Sequence, residues 1–160
     1  KLPKFISNLK GLAEVILLDM PAGFSNLNIS VLKACDELLI ITNPEHAAVY
    51  DALKLVKIAN DNKIKIAGIV VNKLNESEHE MHLDNIKVLL KQEIIGVIPY
   101  SLEIKHATNS KYPLTYLSPN SELSICIKKI AASLINEKYE TNIPVNEKPF
   151  SREILDRLGL

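Results

Sequence analysis

Apolar residues along this chain come in short blocks, separated by longer stretches in which they recur every three or four positions. Four blocks stand out, residues 14–18, 37–41, 64–71 and 94–98, rich in Ile, Leu and Val. Near-continuous hydrophobicity without polar alternation is the pattern of strands buried on both faces, as in a parallel sheet covered by helices. The stretches between them predict helices. Residues 27–35 carry Leu27, Val31, Leu32 and Cys35 on one face, and residues 45–60 carry Val49, Leu53, Val56 and Ile58 or Ala59. Residues 82–91 carry Leu83, Ile86, Leu89 and Leu90, and a longer helix over residues 120–138 carries Leu123, Ile127, Ile130, Ala131 and Leu134. Alternating strand and helix predicts right-handed βαβ units and an α/β fold, a parallel sheet with helices on both faces. Ligands of such folds gather beyond the carboxyl ends of the strands. Residues 139–149, with two prolines and little periodicity, read as a linker from a single domain, residues 1–138, to a short terminal helix, residues 150–160.

Composition narrows the class without pointing to a partner. Apolar residues make up 47% of the 160, enough to support a core. The 19 basic and 19 acidic side chains cancel, so no net field recruits nucleic acid or an anionic membrane. Cys35 and Cys126 stand far apart and form no paired motif, which argues against a zinc knuckle, an iron–sulfur scaffold or a disulfide framework. The reading is a cytoplasmic chain, with no apolar run of the roughly 18–20 residues that span a bilayer. It begins with Lys1 and runs almost at once into the first apolar block, as a portion of a longer protein would. His46, His79, His82 and His106 share no ligand spacing and read as solvated turn or surface residues.

The candidate chemistry lies where the blocks end. Leu18 is followed by Asp19, Met20, Pro21, Ala22 and Gly23. An Asp at the carboxyl end of a buried strand can hold Mg²⁺ directly or through water, or it can merely cap the next turn. Pro21 to Gly23 would give a stiff turn followed by a residue without a side chain, open to close approach by a phosphate. The second block ends in Thr42, Asn43, Pro44 and Glu45, which ordinary helix capping would explain. The third ends in Val71, Asn72 and Lys73, where an amide that both donates and accepts could read a nucleobase edge. The fourth ends in Ile98, Pro99 and Tyr100, whose backbone and ring could flank that base. Each also reads as a turn residue.

Taken together and in this order, these strand ends resemble the consecutive motifs of the MinD branch of the MinD/ParA family of deviant Walker-A P-loop ATPases. The resemblance covers about residues 10–135. It implies Asp19 as the Walker-B carboxylate acting on Mg²⁺ through water, and Gly23 as part of the switch that senses the γ-phosphate of ATP. It implies Asn72 in contact with adenine, with Lys73, Pro99 and Tyr100 around the same site. Glu45 and Asp51 match the segment near the surface that such proteins use for dimerisation and partner binding. The run from Ile104 to Ala107, with Pro113, resembles a later family segment, while Pro21 to Gly23 favours the MinD branch over ParA relatives.

One part of the family pattern is missing from these residues. A phosphate-binding loop needs several glycines close together before a Lys and a hydroxyl residue. Glycine occurs here only at positions 11, 23, 68, 96 and 159, so no such loop can be built. The resemblance therefore implies the C-terminal portion of an ATPase, lacking the N-terminal P-loop strand that would lie between the strands at 14–18 and 37–41. Open strand edges, poor stability alone and no ATP hydrolysis by this chain alone are expected. Joined to an upstream half, it would be a homodimeric ATP switch in spatial organisation such as division-site placement. The alternative is a nucleotide-free α/β interaction module of the same descent. An iron–sulfur carrier of the same superfamily would need paired cysteines. Phe150, Ile154, Leu155 and Leu158 could form one apolar face of the terminal helix. Arg152 and Arg157 there are balanced by Glu153 and Asp156, which leaves peripheral membrane contact and packing on the domain or a partner both open.

Overall fold

The computed structural model describes residues 6, 8–9, 11–21, 26–75 and 77–140. Most of the linker and all of the expected terminal helix lie outside the described residues, as does Gly23. The elements in chain order are α1 (Asn26–Leu32), β1 (Glu37–Thr42), α2 (His46–Asp61), β2 (Lys65–Leu74), α3 (Leu83–Leu90), β3 (Ile94–Pro99), α4 (Glu103–Ser110), α5 (Leu114–Leu117) and α6 (Glu122–Leu134).

The three strands form one sheet in the order β1, β2, β3, and both pairings are parallel. Each parallel pair needs a crossover, and α2 and α3 supply them. The central strand runs Gly68, Ile69, Val70 and Val71 in unbroken burial, which requires cover on both faces. Successive strand residues point to opposite faces, so Val97 and Ile98 show what covers each. Val97 belongs to the main core with Val49, Val56, Ile86 and Leu90 of α2 and α3. Ile98 instead packs with Ala107, Leu114 and Leu123, from α4, α5 and α6. The crossover helices therefore lie on one face and the C-terminal helices on the other.

Helix ends follow local chemistry more than the apolar period. The last helix starts at Glu122 because the Ser121 hydroxyl accepts from the Ser124 N–H at 3.2 Å, a side-chain N-cap. α3 and α4 each end on a lysine in the left-handed conformation, Lys91 and Lys111, where glycine is the commoner choice. Two short helices, α4 and α5, occupy the stretch after β3 in which no periodic pattern predicted an element.

The first apolar block departs from expectation. Residues 15–20 run without ladder pairing, and Val15 and Leu17 are 56% and 82% exposed. A strand exists only through a neighbour that accepts and donates its backbone bonds. Among the described residues β1 pairs with β2 alone, so its other side is a sheet edge, and Ile41 there remains 62% exposed. The block at 14–18 has strand composition but no partner. It is nonetheless tied down near its end, where the buried Asn28 amide of α1 donates to the Pro21 carbonyl at 3.1 Å.

Candidate functional site

The carboxyl ends of β2 and β3 are locked together by an irregularity in their pairing. Asn72 lies opposite Ile98 and Leu74 lies opposite Pro99, which leaves Lys73 as an extra residue in the ladder. Lys73 accommodates this with φ 60°, a left-handed conformation uncommon for a residue with a side chain. The ladder closes again beyond it, because the Tyr100 N–H donates to the Leu74 carbonyl at 2.8 Å. Asn72, Lys73, Pro99 and Tyr100 thus share one rim.

What this rim offers is a set of uncommitted groups. Asn72 is half-buried, and among the described residues its amide has no hydrogen-bond partner, so its donor and acceptor remain available. The Lys73 side chain is exposed and forms no ion pair among the described residues. Pro99 is half-buried and Tyr100 is 47% exposed, so an apolar wall stands beside the amide. An amide with a flat apolar neighbour suits a planar ring carrying both donors and acceptors.

A loop not singled out from the sequence completes the neighbouring end of β1. Pro44 is buried, and its carbonyl accepts from the Met81 N–H at 2.8 Å. Glu45 and Glu80 form an isolated antiparallel bridge, and a Glu80 carboxylate oxygen accepts from the Asn75 N–H at 3.0 Å. Glu80 and Met81 therefore lie against the start of α2. Glu45 occupies the N-cap position of that helix with extended φ and ψ, and its side chain makes no capping bond. The exposed carboxylate stands where the helix dipole favours it. Asp51 lies on α2 and pairs with Lys54 at 2.8 Å, an exposed i,i+3 contact of small energetic worth.

Asp19 lies in the extended segment before α1, which pairs with no strand among the described residues, and its side chain is exposed. Among the described residues no group of three or more His, Cys, Asp and Glu side chains converges on a metal position. Both thiols are single. Burial pushes the Cys35 thiol up, with Asp36 adding to it, and burial with Glu122 does the same to Cys126 against a smaller opposing effect of Lys129 and a backbone bond. Such thiols stay protonated and are poor nucleophiles or ligands near neutral pH.

A family model, ParA, described as NUBPL iron-transfer P-loop NTPase, matches residues 4–135. The chain belongs to the ParA/MinD family of P-loop NTPases. This family chain is similar to an uncharacterised ATP-binding protein of Methanocaldococcus jannaschii, 28% identical over 158 residues, covering 99% of this chain and 60% of the relative. Its fold is similar to that of the septum site-determining protein MinD of Pyrococcus horikoshii, solved in complex with Mg-ADP. That match has a TM-score of 0.77 at 26% identity, covering 83% of this chain and 55% of that one. The MinC:MinD cell division protein complex of Aquifex aeolicus matches with a TM-score of 0.78 at 26% identity, over 89% of this chain and 61% of that one. The ParA/MinD-family chain thus spans little more than half the length of the relatives it matches.

Proposed function

We propose that this chain is the base-binding, C-terminal portion of a MinD-like ATPase, spanning residues 1–138, with residues 139–149 as linker and 150–160 as terminal helix. The observation that carries the reading is the shared rim of β2 and β3, where the half-buried Asn72, its amide without a hydrogen-bond partner among the described residues, lies at the carboxyl end of β2 near Pro99 and Tyr100 in the ladder. In this reading Asn72 pairs with the adenine edge, Pro99 and Tyr100 wall the ring, and Lys73 adds a cation beside the nucleotide. A P. horikoshii relative solved with Mg-ADP supports a nucleotide with a divalent cation as the ligand.

The residues present fit that ion in part. Mg²⁺ bound to a nucleotide commonly keeps several waters and takes only one or two protein carboxylates. A single exposed Asp19, on a segment anchored through Asn28 and Pro21, suits a contact through water. When bound, the ion would neutralise phosphate charge. Gly23 would lie where the switch approaches the γ-phosphate. With glycine only at five scattered positions, this chain builds no phosphate cradle, so hydrolysis by it alone is not expected. With an upstream half, the protein would act as an ATP-dependent homodimerisation switch in the cytoplasm, serving cell division or spatial organisation. Glu45 and Asp51 would then lie on its dimer or partner surface.

The test is ATP and ADP binding by this chain alone and with the upstream half of its own protein supplied in trans. The reading expects weak or no binding alone and at least about a hundredfold gain with the second half, from completion of the phosphate contacts. Equal binding in both cases would overturn it. The missing phosphate cradle also favours a second reading, a nucleotide-free interaction module, which the absence of any nucleotide binding by the combined halves would support.

A further inference from the structure

The peptide unit just beyond the Lys73 bulge is held at both ends. In a trans peptide the carbonyl and the N–H point in opposite directions, so two different neighbours can grip one unit. The Leu74 carbonyl accepts from the Tyr100 N–H at 2.8 Å, and on the other side the Asn75 N–H donates to a Glu80 carboxylate oxygen at 3.0 Å. The Leu74 side chain is buried in the main core, which fixes the Cα atom from which the unit hangs. Leu74 also stands opposite Pro99 in the ladder, so the orientation of this unit sets how the rim closes.

That grip matters because of what precedes it. Lys73 holds φ 60°, a conformation that persists in a residue with a side chain only where the surroundings over-determine it. Upstream the ladder does so, with Asn72 opposite Ile98. Downstream, the Tyr100 bond alone would leave the unit free to swing about its carbonyl, and the Glu80 bond from the opposite side removes that freedom. A carboxylate acceptor also makes the stronger kind of hydrogen bond to an N–H group.

Glu80 in turn is placed by its backbone. It forms the antiparallel bridge with Glu45, and the following N–H, of Met81, donates at 2.8 Å to the carbonyl of the fully buried Pro44. The main chain of Glu80 therefore rests on the head of α2 while its carboxylate rests on the end of β2. We infer that Glu80 is a positioning residue for the base rim. Acting only through the backbone, it holds the Leu74–Asn75 peptide, and with it Lys73 and Tyr100, at the angle that lets Asn72 meet a base. This inference rests on the reading of the rim as a base site.

Glu80→Ala and Glu80→Gln, each combined with the upstream half of the protein, test it, because a Gln side-chain oxygen can still accept from the Asn75 N–H. Without nucleotide, the Asn75 and Tyr100 amides should exchange about tenfold faster in Glu80→Ala than in the natural protein. Those of Ile69 to Val71 should not change, and Glu80→Gln should stay near the natural rates. ATP binding should weaken about three- to tenfold in Glu80→Ala and return to within about twofold of natural affinity in Glu80→Gln. Affinity for inorganic tripolyphosphate, which carries no base, should be the same in all three proteins. Unaltered exchange at Asn75 and Tyr100, or unaltered ATP affinity, in Glu80→Ala overturns the inference. Equal weakening of ATP and tripolyphosphate does so too, since it marks a general loss of stability, as does a Glu80→Gln protein that binds ATP no better than Glu80→Ala. A natural protein that binds ATP no more tightly than tripolyphosphate defeats the base reading itself, and the positioning role falls with it even where exchange follows Glu80.

Discussion

Gly96 of β3 lies directly beneath Ile130 of α6, so close that a methyl group on Gly96 would overlap the Ile130 Cγ1 atom. The helix on this face sits at the distance set by a residue without a side chain. Gly96→Ala should therefore force α6 outward or twist Ile130 from its rotamer, costing about 1–3 kcal/mol by overpacking. Chemical denaturation would show this as a lower midpoint. Gly96→Ala combined with Ile130→Ala should cost less than the two single changes added together, since the second change removes the Cγ1 and Cδ1 atoms that the new methyl group would overlap.

The lysine in the β2 ladder separates backbone strain from charge. Lys73 holds φ 60°, which costs a residue with a Cβ roughly 1–2 kcal/mol more than glycine, while glycine loses about 0.4–1 kcal/mol through its freer unfolded chain. Lys73→Gly should thus leave the fold as stable or raise stability by up to about 1 kcal/mol. The same variant, tested with the upstream half present, should bind nucleotide several-fold more weakly if the ammonium faces the ligand. A Lys73→Gly protein that is destabilised by more than 1 kcal/mol would mean that the side chain carries packing the left-handed backbone does not reveal.

The contrast between β2 and residues 14–18 shows what the sequence could convey. Ile69, Val70 and Val71 are buried on both faces, and their uninterrupted hydrophobicity announces it. Val15, Ile16 and Leu17 have the same composition and stay exposed, because pairing depends on a neighbour and not on the strand's own residues. Helix α4 escaped notice because only Ala107 of its eight residues is buried, which leaves no apolar stripe to detect. The rim residues Asn72 and Pro99 were legible as strand ends, whereas the Lys73 bulge was not, since nothing in Asn72, Lys73 and Leu74 suggests a positive φ. The tie from Glu80 to Asn75 and the bridge to Glu45 were equally hidden, because loop contacts between distant segments leave no periodic trace.

Cys126 makes stability fall at alkaline pH. Burial, then the nearby Glu122 charge, raise its thiol above the ordinary range, which is about 8.5 in an unfolded chain. Below that value the thiol is protonated in both states and the folded form keeps its full advantage. As pH rises beyond it, the unfolded thiol ionises first, so the unfolded state binds fewer protons and stability declines until the folded thiol also titrates. Denaturation midpoints measured from pH 7.5 to 10 should drop more steeply for the natural protein than for Cys126→Ala. Parallel profiles would show that the thiol is less buried in solution than its place on α6 implies.

Asn72 offers the sharpest test of the rim, because its amide is placed by β2 and engaged by nothing else among the described residues. Removing it should leave the fold nearly unchanged, since no internal hydrogen bond is lost and the residue is only half-buried. Loss of a paired donor and acceptor to adenine should cost about 1–3 kcal/mol of binding, roughly a five- to hundredfold weaker affinity for ATP with the upstream half present. Asn72→Asp sharpens the result, because a carboxylate can accept from the adenine amino group but cannot donate to a ring nitrogen. Binding titrations should rank the natural protein first, and both variants should keep the natural denaturation midpoint within about 0.5 kcal/mol. If Asn72→Ala and Asn72→Asp both bind ATP as well as the natural protein, the base lies elsewhere and the rim has another ligand.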